Sequence, residues 1–173
     1  MKTLILLRHG KSDWRADFVH DHERPLADRG VRASRRMGRF LATAGPKPDR
    51  VISSTAVRAR STAELVVASA GWSLEIEQRR ELYGTGPSGV LDVLRDLPPD
   101  PDRPDSCLLL VGHEPTWSSL ASILIGGGHL AVKTATAAWI ELAIPAWGEV
   151  AAGTGELRML LPPRTLDGWL DAG

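Results

Sequence analysis

The sequence predicts an α/β fold: a three-layer α/β/α sandwich built on a mixed, mainly parallel sheet. Strand-length apolar runs alternate with helical segments along the chain, as in folds whose parallel strands are joined by helical crossovers. Two of those runs, LILL at 4–7 and CLLLVG at 107–112, are apolar without alternation, as strands covered on both faces are. The last two candidate strands are joined only through AWGEVAAGTG, which suits a hairpin or an antiparallel edge and makes the sheet mixed.

Taken in order, the first strand is expected near 3–7 and ends abruptly in Arg8-His9-Gly10. A helix near 28–43 follows, with Arg29, Arg32, Arg35, Arg36 and Arg39 recurring mainly at spacings of three and four, as on a solvated face. The stretch VISSTAVRARST passes from a strand near 50–53 through a polar turn into a helix near 56–70, placing Arg58 and Arg60 in its first turns. A strand near 74–77 precedes GTGPSG, which satisfies a dinucleotide-binding glycine pattern literally. QRRELY stands before it instead of an apolar strand, so it reads as a turn into a helix near 87–96 with Pro87 at its start. The Pro-rich segment 97–106 is a surface connection. A strand near 107–112, a helix near 115–125 that stops at GGGH, and strands near 138–144 and 156–161 complete the fold.

A length of 173 residues suits a single domain over 1–173 with one substantial core. Forty-three per cent apolar and 24% charged residues set aside disordered, collagenous and membrane classes. No run is long enough to span a membrane, and the start lacks the features of a signal peptide, so a cytoplasmic location is expected. The single cysteine, Cys107, fits a reducing compartment and reads as a buried strand residue; the arginine that a cysteine phosphatase needs six positions on is replaced by His113. Residues 1–64 hold 14 Lys and Arg against 7 Asp and Glu, and the remainder reverses the balance. Without interleaved aromatics to stack on bases, the basic half does not indicate nucleic acid.

In open α/β sheets ligands bind beyond the carboxyl ends of the strands. Two strands here end there in histidine, LILLRHG at His9 and CLLLVGHEP at His113, and the strand-to-helix turn after 53 adds Arg58. Imidazoles and guanidiniums converging with a helix N-terminus make a phosphate pocket. A neutral imidazole whose other nitrogen is held as a donor is a competent nucleophile toward phosphorus, so His9 is expected to attack while the arginines and His113 stabilise charge on the phosphoryl oxygens. Water would then hydrolyse the phosphohistidine.

LLRHGKSDW, ERPLADRG, SSTAVRARST, the Glu81 region and VGHEP occur in the order and approximate spacing of the histidine phosphatase (phosphoglycerate-mutase-like) superfamily. The chain resembles most its small phosphohistidine phosphatase branch, from about residue 3 to about residue 144. The resemblance implies His9 as the phosphorylated nucleophile, Arg8 and Arg58 as phosphoryl ligands and His113 as the second histidine, with Ser12 a further residue facing the phosphate. It implies Glu81 as general acid, with Glu114 the alternative, and a reaction needing neither metal nor cofactor. Arg60 falls on a variable position and reads as a surface residue. Thr55, Ser61 and Ala27 depart from the branch's proline, glutamine and helix-capping threonine or asparagine; Gly10 replaces its frequent alanine.

The expected function is a protein phosphohistidine phosphatase, because imidazole leaving a P–N bond needs less protonation than an alkoxide and the general acid is weakly marked. The alternatives are a phosphomonoesterase for a small phosphorylated metabolite or nucleotide, and a phosphate-binding module without turnover. Partners are therefore a phosphorylated protein or small molecule, not nucleic acid or a membrane; the sequence leaves the oligomeric state open. His20 and His22, flanking Asp21, read as a polar loop at the pocket mouth in preference to a metal site. Trp14 is placed at the rim, and Trp72, Trp117, Trp139, Trp147 and Trp169 are read as packing residues.

Overall fold

The computed structural model describes residues 1–99 and 105–167. Over these, β1 (Lys2–Arg8), α1 (Asp28–Ala44), β2 (Arg50–Ser54), α2 (Val57–Ser69), β3 (Ile76–Arg79), α3 (Pro87–Arg95), β4 (Cys107–Gly112), α4 (Thr116–Leu124), β5 (Ala137–Leu142) and β6 (Gly155–Leu161) follow one another. The strands form one sheet in the order β3-β2-β4-β1-β5-β6. β1 to β4 run parallel, while β5 pairs antiparallel with β1 and β6 antiparallel with β5.

The unbroken apolar run of β1 follows from its central position. Leu4 and Leu6 point to the face covered by α3 and α4, and Ile5 and Leu7 to the face covered by α1 and α2; none of the four is exposed. Each such side chain contributes roughly 1.5–3 kcal/mol relative to exposure. Both cores are therefore anchored on the strand that delivers Arg8 and His9 to its tip.

β3 begins two residues later than its apolar letters indicate, and the mismatch has a physical reason. It is an edge strand whose ladder with β2 runs through Glu77, Gln78 and Arg79, while Leu74 packs under the helices without a place in the ladder. Short 3-10 turns at 21–23, 80–82, 147–149 and 163–166 carry no sequence periodicity and were not anticipated. Pro87 is the first residue of α3, and the helix before GGGH stops at Leu124, with Gly126, Gly127 and Gly128 all at positive φ. Ala27, the N-cap of α1, provides no side-chain cap.

Cys107 is buried in β4, where desolvation and then the nearby Asp49 charge push its thiol up to about 12. Trp117 and Trp147 are buried, the latter donating to Ser106 Oγ, and Trp72 and Trp139 are half-buried. Trp169 lies outside the described residues, as does the centre of the 97–106 segment. Among the described residues no helix is long and apolar enough to cross a membrane.

Candidate active site

Strand register assembles the site. Arg8 pairs with Gly112 across β1 and β4, and the His9 N–H donates to the Gly112 carbonyl at 3.0 Å. Ser53 pairs with Val111 on the other side of β4, so the tip of β2 lies level with His113. Three adjacent parallel strands thus bring their carboxyl ends to one edge.

His9 and His113 are both buried there, with ring centroids 5.1 Å apart. His9 Nδ1 lies 2.7 Å from the Gly10 carbonyl oxygen. A carbonyl only accepts, so Nδ1 carries the proton and Nε2 keeps its lone pair. That lone pair accepts from Arg58 Nε at 3.3 Å. Burial, reinforced by the charges of Arg58, Arg8 and Arg24, holds the ring down at about 4 although the Gly10 hydrogen bond opposes it. His9 is therefore neutral at physiological pH.

His113 Nε2 is 2.8 Å from Ser54 Oγ, and its Nδ1 is buried without a partner. Burial lowers this ring as well, to about 3, with His9 and Arg58 adding to the effect. Arg8 donates through Nη1 to the Val132 carbonyl at 3.1 Å, while its buried Nε has no partner; desolvation lowers its pKa, opposed by Glu114. Two unsatisfied buried hydrogen-bonding atoms therefore accompany a nucleophilic lone pair, the arrangement that a tetrahedral oxyanion would satisfy.

Arg58, at the second position of α2, is clamped by Asp21: Nη1 donates to the Asp21 carbonyl at 2.6 Å and Nη2 to Oδ2 at 2.8 Å. Asp21 also receives Tyr83 Oη at 3.0 Å and Arg24 Nη2 at 2.7 Å. Partial burial pushes this carboxyl up, but the hydrogen bonds from Arg24 and Tyr83 and the Arg58 charge outweigh it and hold the group at about 2.

The quartet expected from the sequence, Arg8, His9, Arg58 and His113, is thus gathered at one place. Ser12 is buried beside it, but its Oγ accepts from Arg24 Nη1. Glu81 is not brought in. The 80–82 turn sends Leu82 into the core and leaves Glu81 exposed, without a hydrogen bond or ion pair to any described residue. Tyr83 reaches the site instead, its ring edge-on to His113 at 5.4 Å and to His22 at 4.9 Å. Glu114 accepts from both the backbone N–H and the hydroxyl of Ser118 in α4. Arg60 faces outward and pairs with Glu64. His22 hydrogen-bonds Thr55 at 2.9 Å, His20 is exposed, and Trp14 is 64% exposed with the Arg24 guanidinium 3.6 Å from its ring centre.

Asp21, Arg24, Ser54, Thr62 and Tyr83 were not anticipated. Arg24 had a signal, the arginine of ERPLADRG; it returns to the site because the chain reverses between Ser12 and Leu26, which form an antiparallel bridge. Thr62, fully buried in α2, accepts from the Gly10 N–H at 2.9 Å and donates to the Arg58 carbonyl at 2.7 Å. On its other side the 10–11 backbone touches α1. A Cβ on Gly30 would lie 2.2 Å from the Lys11 carbonyl oxygen, and one on Gly10 2.8 Å from that of Gly30. Only glycines permit this approach without a backbone shift.

A family model described as the histidine phosphatase superfamily (branch 1) matches residues 4–84. An uncharacterised protein of Mycobacterium tuberculosis (strain H37Rv) is 38% identical over 128 residues, 73% of this chain and 75% of that protein. A Nakamurella multipartitia structure assigned as phosphohistidine phosphatase SixA superposes with a TM-score of 0.77 at 31% identity, covering 94% of this chain and 96% of the other. The protein histidine phosphatase SixA complexed with tungstate superposes at 0.76 with 25% identity, covering 95% and 99%.

Proposed function

The chain belongs to the histidine phosphatase superfamily and is a phosphatase, and on that premise we propose that it hydrolyses phosphohistidine carried on a protein through a phosphohistidine formed on His9. The observation that carries the chemistry is the ring of His9, neutral, with Nδ1–H on the Gly10 carbonyl and the Nε2 lone pair facing Arg58 Nε. Nε2 attacks phosphorus and forms an N–P bond as the substrate's P–N bond breaks. The departing electron pair goes to the substrate imidazole, which takes a proton from water. Arg58 turns from Nε2 onto the phosphoryl group, joined by Arg8 Nε and His113 Nδ1, so that catalysis rests on positioning and charge stabilisation. Water then attacks the same phosphorus, releasing inorganic phosphate and neutral His9.

The P–N preference is supported by the placement of the carboxyl groups offered as general acids, of which Glu114 is engaged by the Ser118 N–H and hydroxyl. Among the described residues Glu81 is exposed and Asp21, held at about 2, is ionised at neutral pH and donates no proton. An alkoxide leaving group would need such a donor; an imidazole needs it far less. A relative complexed with tungstate, a tetrahedral oxyanion, fits the same reading. A cytoplasmic location, where phosphohistidine proteins would be met, belongs to it too.

The test is turnover of a phosphohistidine protein followed by mass spectrometry of the acid-protected enzyme. We expect an acid-labile, alkali-stable phosphoryl group on His9, lost in His9→Ala. A strong preference for sugar phosphates would overturn the substrate; an unlabelled His9 during turnover would overturn the mechanism.

A further inference from the structure

A groove of about 690 Å³ runs from the catalytic strand tip along α1, and its walls are cationic. Arg29, Arg32 and Arg36 of α1 line it together with Lys11, two residues after His9, Lys133 and Arg164. Asp167 is the one carboxylate in the lining and is paired with Arg36. Lys11, Arg29, Arg32, Lys133 and Arg164 form no ion pair with any described residue.

This charge works against the fold. Arg29 lies in the first turn of α1, where the helix dipole disfavours a cation, and the spacings 29/32 and 32/36 set like charges side by side. Asp28 in the same first turn and Asp167 beside Arg36 offset part of this charge, but five of the six cations of the lining have no ion-pair partner among the described residues, so the arrangement points to something outside the chain. The groove also adjoins the cleft that Arg8 lines. Lys133 borders the cleft containing Arg8 as well as the groove, and the Ala135 N–H, two residues on, donates to the Arg8 and His9 carbonyls.

We propose that this groove docks an acidic segment of the phosphoprotein substrate, an inference resting on the protein-substrate reading above. The seven residue steps from Arg29 to Arg36 span about 10 Å of helix, the length of roughly three residues of extended peptide. Guanidinium forks match carboxylates along such a segment. A single phosphoryl group bound by the quartet would leave all these cations unused. Nucleic acid fits less well: Ala33, Thr134, Pro162 and Pro163 complete the lining, and no aromatic ring is present for a base to stack on.

The test uses the full chain, a fluorescein-labelled decaglutamate peptide, a phosphohistidine protein with an acidic flank, and phosphoramidate as a small P–N donor. In Arg29→Glu/Arg32→Glu, peptide affinity and kcat/KM for the phosphoprotein should each fall by roughly tenfold at low salt, with phosphoramidate hydrolysis unchanged. Arg35→Glu/Arg39→Glu makes the same charge change on the same helix outside the groove and should leave all three readings near wild type. Equal losses in the two double variants, no loss in the first, or tighter binding of a ten-nucleotide oligothymidylate than of the peptide would overturn the proposal. If no phosphohistidine protein is turned over, the substrate reading fails, and the peptide arm alone decides whether the groove takes an acidic segment.

Discussion

Replacing Thr62 by valine keeps the shape of the side chain and removes one hydroxyl. That hydroxyl is fully buried and makes two hydrogen bonds, accepting from the Gly10 N–H and donating to the Arg58 carbonyl. The second loss is cheap, because the Arg58 carbonyl keeps its helical partner four residues on. The first leaves a buried N–H unpaired, at a cost of about 1–3 kcal/mol. For a chain of this size each kcal/mol lowers Tm by about 2–4 °C, so a drop of roughly 2–12 °C is expected by thermal unfolding. The damage should also reach catalysis. The carbonyl of Gly10 holds the His9 ring, the proposed nucleophile, so kcat should fall more than KM rises. Thr62→Ser retains the hydroxyl and should recover most of kcat while losing a methyl group's worth of packing. A valine variant with wild-type Tm and kcat, or a serine variant less active than the valine one, would refute the role assigned to this bond.

His9 and His113 are held at about 4 and about 3 in the fold against about 6.5 when unfolded. The unfolded chain therefore takes up protons that the folded one does not, so stability should be full above about pH 6.5 and decline as pH falls toward 4, measurable by urea unfolding at pH 7.5 and 5. For the same reason the acid limb of kcat/KM should lie near pH 4; a limb at the ordinary histidine value would contradict a buried, neutral nucleophile. Arg58→Ala should weaken inorganic phosphate as an inhibitor and lower kcat together, and near-normal kinetics would remove Arg58 from the mechanism. Gly30→Ala should destabilise by about 3 kcal/mol or more, seen as a lower urea midpoint, because its Cβ would meet the Lys11 carbonyl oxygen at 2.2 Å; an unchanged midpoint would mean that α1 yields freely.

The central strands were legible because burial on both faces writes itself as unbroken apolar letters, and Arg8, His9 and His113 because they interrupt those letters at strand tips. Arg58 was legible through the helix start that follows β2. What escaped depends on long-range return of the chain or on local parity. Asp21 sits in FVHDHERP, a run that reads as solvated loop until Arg24 and Arg58 close on it. The choice between Glu81 and Tyr83 turns on which residue of a short 3-10 turn buries its side chain; Leu82 settles this by filling the core, and nothing in RRELYG announces it. Gly10 stands in place of the branch's frequent alanine in a setting equally invisible in one dimension, with the Gly30 carbonyl oxygen 2.8 Å from where a Cβ would lie.

The paired glycines 10 and 30 bring the backbone beside His9 into close contact with the helix bearing the arginine row. On the docking proposed above, the molecule would work as a caliper, with a phosphorus-seeking jaw and a carboxylate-seeking jaw held at a set separation. Partners would then be sorted by the distance between their phosphorylated ring and their acidic flank, a property of their shape and not of their affinity for either jaw alone.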